Sequence, residues 1–156
     1  MTHATDSTYA WHMGALFHWL VPSETTSGAL ALADVTVRAG TEPPPHEHAH
    51  EDELFYVLEG ELEVVVGGTT RHAGVGEAVH LPRGSVHGFR VLTPRARFLM
   101  LLTPGGLDRA FVATSEPAPC AVLPPLPEGP PPAAVIEHLL AVHGAHGVRF
   151  ELGGAR

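Results

Sequence analysis

Apolar and β-branched residues alternate with polar ones over short runs along most of this chain, the period of half-buried strands. Residues 29–38 place Leu30, Leu32, Val35 and Val37 near alternation. Residues 53–59 and 61–66 are β-rich runs meeting at Glu59-Gly60, a hairpin signal, and Gly67-Gly68 predicts a second hairpin into residues 69–73. Gly74 and Gly76 mark a turn before a short strand at 77–81. Pro82-Arg83-Gly84 leads into a strand at 86–92, and residues 97–102 form a long apolar strand expected at the centre of a sheet. Residues 9–21 read as a first strand lying over the core, and residues 109–113 as one more strand.

Beyond residue 115 the pattern changes. Eight prolines fall between residues 116 and 132, which predicts an extended connection without regular structure. Residues 132–143 then read as one helix, with proline at its start, Gly144 past its end and Val135, Ile136, Leu139, Leu140 and Val142 as a broad apolar face. Residues 148–152 predict a last strand. The tail reads as a packing or dimerisation element. The whole is a single domain, all-β with one C-terminal helix, and its barrel spans about residues 11–113.

Composition narrows the function. A net charge of -8 argues against nucleic acid or an anionic membrane as partner. No run reaches the length of a membrane span. The apolar stretch at 11–21 is interrupted by His12 and His18 and lacks the flanks of a signal peptide. With Cys120 as the only cysteine no internal disulfide forms. Both features predict a cytoplasmic protein. Twelve histidines are many for 156 residues, and three of them fall within five positions.

Those three open the candidate chemistry. On a strand, residues i and i+2 face the same side, so His46 and His48 can offer two imidazoles to one ion. Glu53 has the opposite parity, and a turn or bulge at 49–52 must re-aim it. His87 follows the 82–84 turn and can complete the set from a neighbouring strand. Three neutral imidazoles and a carboxylate suit one divalent transition metal (Fe, Mn, Ni, Co, Cu or Zn) and suit Ca or Mg poorly. The bland alternative is a set of solvated histidines in an acidic loop. His50 is a rival ligand through a second H-x-H. His80 reads as a hydrogen-bonded core residue or a cavity-lining one, and His72, His138, His143 and His146 as surface. Phe55, Val57, Phe89, Phe98 and Met100 read as core, with some of them lining a ligand cavity.

The spacing as a whole resembles a known family. Gly40, five residues, His46-x-His48, four residues, Glu53, six residues, Gly60 form one unit. Gly76, five residues, Pro82-x-Gly84, two residues, His87 form a second. These resemble the two signature motifs of the cupin superfamily, with every ligand position filled. The resemblance runs over about residues 11–106 and implies a small jelly-roll β-barrel that holds a metal on His46, His48, Glu53 and His87. One position departs: Val91 stands where the second motif usually ends in asparagine, which implies a lost hydrogen bond near the barrel mouth.

Within the family the run P-P-H-E-H-A-H-E-D-E-L-F-Y-V-L-E-G-E, with L-P-R-G-S-V-H-G-F-R, looks most like quercetin 2,3-dioxygenase-type proteins. These open flavonol rings with O₂ and release carbon monoxide. The resemblance implies a metal-dependent dioxygenase for an enolic or phenolic aromatic substrate. In it Glu53 is both ligand and general base, and a raised pKa would help it hold the proton. The ion and Glu53 together carry about one positive charge, which favours an anionic small molecule. The alternatives are a metal-assisted cyclase or isomerase of a polyketide-like phenol, and a non-catalytic binding module. Many family members pair through N-terminal strands, so a homodimer is expected; a monomer that buries residues 11–21 is the other outcome.

Overall fold

The computed structural model describes residues 9–153. Twelve strands form two antiparallel sheets. They are β1 (Tyr9–His12), β2 (Ala15–Val21), β3 (Ala31–Arg38), β4 (His46–His48), β5 (Asp52–Glu59), β6 (Leu62–Val66), β7 (Thr69–Ala73), β8 (Ala78–Leu81), β9 (His87–Val91), β10 (Arg95–Thr103), β11 (Glu116–Pro117) and β12 (Val148–Phe150). The larger sheet runs β11-β1-β2-β3-β10-β5-β8 and the smaller β12-β4-β9-β6-β7. Helix α1 (Asp108–Ala113) and helix α2 (Ala133–Ala145) follow the barrel strands.

The alternation seen in the sequence sets the core. Along β3, Ala31, Ala33, Val35 and Val37 are buried, and along β10 Ala96, Phe98, Met100 and Leu102. These faces meet Leu62, Val64 and Val91 of the smaller sheet in one cluster. As expected, β10 lies inside its sheet, between β3 and β5.

Several local expectations are corrected. Residues 9–21 are a hairpin: His12 pairs with Ala15 across Met13 and Gly14, both at positive φ (48° and 84°). A two-residue turn of that hand matches the twist of the paired strands. Glu59-Gly60 is a corner that passes the chain from the larger to the smaller sheet, and not a hairpin. Gly60 has φ 79°, and a Cβ there would run into the Arg95 carbonyl and Thr93 Oγ1. Residues 109–113 are helical. Leu107 and Ala110 are buried with Phe111 packed beside them, a helical spacing, and Asp108 sits in the first turn. Its carboxylate accepts from the backbone N–H of Ser23 and of Gly106. Residues 116–117, expected to be irregular, pair with β1 and cover that edge. On α2, Val135 and Ile136 are exposed and His143 is buried, so the inward face lies one turn later than the apolar pattern suggested.

Val91 is buried in the core, and its N–H donates to Glu42 Oε1 at 2.7 Å. The other Glu42 oxygen accepts from the Gly40 N–H at 2.9 Å. Glu42 thus ties the strand that carries Val91 to the start of the first histidine motif.

Candidate metal centre

The four predicted ligands come from three strands. Residues 46 and 48 share a face of β4, as their spacing requires. His46 lies opposite His87 of β9 in the smaller sheet. Glu53 belongs to β5 in the larger sheet. The change of parity after His48 is therefore a change of sheet: the chain crosses over residues 49–51 and restarts alternation on the other wall. His46, His48, Glu53 and His87 each bring a donor atom within 4.8 Å of those of the others.

The surrounding chain fixes these positions. The Gly84 N–H donates to the His48 carbonyl, and the backbone N–H and Nε of Arg83 donate to Asp52 Oδ1. The turn before His87 is thereby attached to the end of β4 and the start of β5. On its other side β4 pairs with β12, with Val148 opposite His48 and Phe150 opposite His46. The tail thus contributes a strand beside the histidines as well as packing.

Hydrogen bonding orients the rings. His46 Nδ1 donates to the Pro44 carbonyl at 2.9 Å and His87 Nδ1 to the Ser85 carbonyl at 3.0 Å. Each ring then keeps a lone pair on Nε2, the arrangement that outer hydrogen bonds give to metal-binding histidines. His48 Nδ1, Glu53 Oε2 and His87 Nε2 are buried without a hydrogen-bond partner. Glu53 Oε2 and His87 Nε2 stand 3.2 Å apart, out of alignment for a hydrogen bond. Buried polar atoms that face one another and lack protein partners are costly unless an ion joins them. The donor set therefore fits a divalent transition metal.

Burial also sets protonation. Desolvation pushes the His48 pKa down to about 4 against the pull of Glu53, and lowers His46 for the same reason. Burial works against a charge on His87 as well, but contact with Glu53 outweighs it and raises that pKa. Glu53 would be raised by burial alone; the imidazoles of His48, His87 and His46 hold it below the usual carboxylate range. This corrects the expectation of a raised Glu53, which stays ionised and is suited to bind and accept rather than to retain a proton.

The cluster opens on an apolar cavity whose walls include Phe17, Phe55, Phe89, Phe98, Met100 and Phe150. Of the residues expected in the core, Phe55, Phe89, Phe98 and Met100 also line the cavity, and Val57 lies in the core away from it. The cavity measures about 60 Å³ in the positions a water centre can occupy, room for about four to six waters.

The other histidines divide differently from expectation. His50 is exposed and packs against Gly147, outside the cluster. His80 is exposed, 3.9 Å from Asp52, because its side of β8 faces solvent. His72 and His138 are exposed as expected, and His146 is half-buried. His143, expected at the surface, is buried and lines the cavity together with His12. The signal for His143 lay in the helical period, since it falls one turn after Leu139 and Leu140.

Residues 33–104 match the Cupin domain family. The quercetin 2,3-dioxygenase of Bacillus subtilis is 25% identical over 105 residues, 67% of this chain and 31% of that enzyme. The chain thus spans less than a third of the enzyme's length. An uncharacterised protein of Streptomyces coelicolor is 30% identical over 91 residues, 58% of this chain and 81% of that protein. The solved structure of KdgF from Halomonas sp. is similar with a TM-score of 0.58 at 25% identity, over 70% of this chain and 94% of its own.

Proposed function

This chain belongs to the cupin superfamily, and on that premise we propose that it is a metal-dependent enzyme acting on a small enolic or phenolic molecule. One observation carries the reading: three histidines and a glutamate, buried, with donor atoms within 4.8 Å of one another and partly unpaired, at the head of an apolar cavity. His46, His48, Glu53 and His87 would hold the metal. When bound, the ion would supply Lewis acidity toward a substrate oxygen.

The chain's own groups do the rest. Glu53, kept ionised among imidazoles, takes the proton of an enol or phenol hydroxyl on its carboxylate. The aromatic walls hold the ring and exclude water. The aromatic lining of the cavity suits an aromatic ring. The likeness to the Bacillus dioxygenase favours reaction with O₂. The same base and cavity would also serve a cyclase or isomerase that uses none.

Oxygen uptake separates the two. Purified chain loaded in turn with Fe, Mn, Ni, Co, Cu and Zn is offered enolic and phenolic aromatics, aerobically and anaerobically. Consumption of O₂ with substrate supports the dioxygenase; turnover without O₂ supports the isomerase; tight binding with no turnover under any metal overturns both in favour of a binding module. We further expect a cytoplasmic homodimer. No described helix is long and apolar enough to cross a membrane. Residues 11–21 are largely consumed within the chain, since Leu16 and Phe17 are buried and β1 is paired on both sides. Light scattering behind size exclusion checks the dimer, and a single monomer peak at micromolar concentration contradicts it.

A further inference from the structure

We propose that His12 and His143, joined through Thr114, form a second polar pole in the cavity that accepts a hydrogen bond from a hydroxyl on the ligand. This rests on the function proposed above, in which the ligand's other end meets the four-donor cluster.

The geometry begins at Thr114, just past the end of α1. Its Oγ1 lies 2.8 Å from the Ala110 carbonyl, 3.1 Å from His143 Nε2 and 3.4 Å from His12 Nδ1. A hydroxyl has one hydrogen and two lone pairs. With the hydrogen donated to Ala110, the lone pairs accept from both rings. Each neutral imidazole then carries its proton on the nitrogen facing Thr114. The opposite nitrogens, His12 Nε2 and His143 Nδ1, are left as acceptors. Burial keeps both rings neutral, at pKa values of about 3 and about 4.

Both rings line the same cavity as the metal-ligand cluster. The hydrogen bonds of both rings run to Thr114, to its hydroxyl and, for His12, to its backbone as well. The two rings lie 5.4 Å apart between centroids, and Phe111 packs edge-on against both, at 4.9 and 5.1 Å. Phe150 stands between this pole and the cluster, 5.9 Å from His143 and 5.3 Å from His46. A ligand that reaches both poles therefore has a mostly apolar body and polar groups at separate positions. Because both free nitrogens accept, the group they select is a donor: a hydroxyl fits, and a methoxy or carbonyl oxygen does not.

None of the three residues lies within 33–104, the segment that matches the Cupin domain family. They come from β1, the segment after α1, and α2, elements that close the cavity from outside that segment. The pole thus lies outside the matched segment, and the chemistry it reads is set apart from the metal-binding motif.

Calorimetry on the full chain, with and without zinc and under nitrogen, tests the proposal. The probes are catechol, resorcinol and hydroquinone, each against its monomethyl ether. The wild type is expected to prefer at least one free diol over its ether by about fivefold or more, the scale of a single hydrogen bond. In His12→Phe and His143→Phe that preference falls toward unity, while zinc uptake and affinity for the ether are retained. Thr114→Val, which frees the two rings to change tautomer, reduces the preference and serves if either histidine variant fails to fold. An unchanged preference in every folded variant overturns the proposal, as does no preference in the wild type or no binding of any probe. Failure of the metal reading shows separately, as absence of zinc uptake by the wild type.

Discussion

Glu53 is the residue on which the chemistry turns. Glu53→Gln keeps the shape and one oxygen but removes the charge, so it is expected to retain some metal and to lose turnover by at least about a hundredfold, the scale of general base catalysis. Metal content and initial rates on one preparation check this, and unchanged turnover would remove Glu53 from the mechanism. A second expectation follows from His87. Burial lowers its pKa but Glu53 outweighs that and raises it, so the metal-free cluster holds a proton to higher pH than a free imidazole would. Metal uptake must displace that proton, so affinity rises with pH, and calorimetry in two buffers on the acid side of pH 6.5 should register proton release. Uptake without proton release would contradict that protonation state. A third concerns His12 and His143, whose folded pKa values, lowered by burial to about 3 and about 4, lie below the ordinary imidazole value of 6.5. Below pH 6.5 the unfolded chain binds protons that the folded chain refuses. The contribution of these two groups is therefore complete above pH 6.5 and declines on acidification toward about pH 4, by up to about 1.4 kcal/mol per pH unit for each group. Urea melts at pH 7 and pH 5 should show a smaller acid loss in His143→Phe than in the wild type. At this scale the cluster was legible because the spacing of His46, His48 and Glu53 records two strands and the crossing between sheets. His143 was not, because a histidine on a helix reads as polar until its neighbours are known, and Thr114 carries no sequence signal of its own.

At the scale of elements, period decided what could be read. Strands β3, β5, β6 and β8 to β10 follow from alternation, since each has one face in the core, and β7, exposed except at Ala73, follows from the Gly67-Gly68 turn. The hairpin at Met13-Gly14 was missed because Met13 takes a left-handed conformation that its side chain does not advertise. Helix α1 was missed because six residues are too few to separate a helical spacing from an alternating one. Packing along β10 yields a stability prediction. Phe98 is 1% exposed and lies 4.5 Å from Phe55 and 5.7 Å from Phe89 between ring centroids. Phe98→Ala should cost about 3–5 kcal/mol in denaturant unfolding, the range for emptying an aromatic site in a core. A loss below about 1 kcal/mol would mean that this aromatic cluster does not organise the barrel.

For the molecule as a whole, fold and site depend on each other. Two sheets meet around a cavity, three strands bring donors to its head, and the C-terminal β12 completes the sheet beside the histidines. That partnership of tail and ligand strand was hidden in the sequence, because Val148 pairs with His48 from the far end of the chain and pairing at that distance leaves no local pattern. A folded cluster that binds an ion absent from the unfolded chain must be stabilised by it. At a hundredfold excess of metal over its dissociation constant the gain is about 2.7 kcal/mol. The most direct test of the central claim is elemental analysis of the chain purified without added metal, stripped with a chelator and then titrated back. The account predicts one transition-metal ion per chain, removed by the chelator and regained one to one, with His48→Ala and His87→Ala unable to regain it. A correctly folded chain that carries no such ion and takes up none would contradict it.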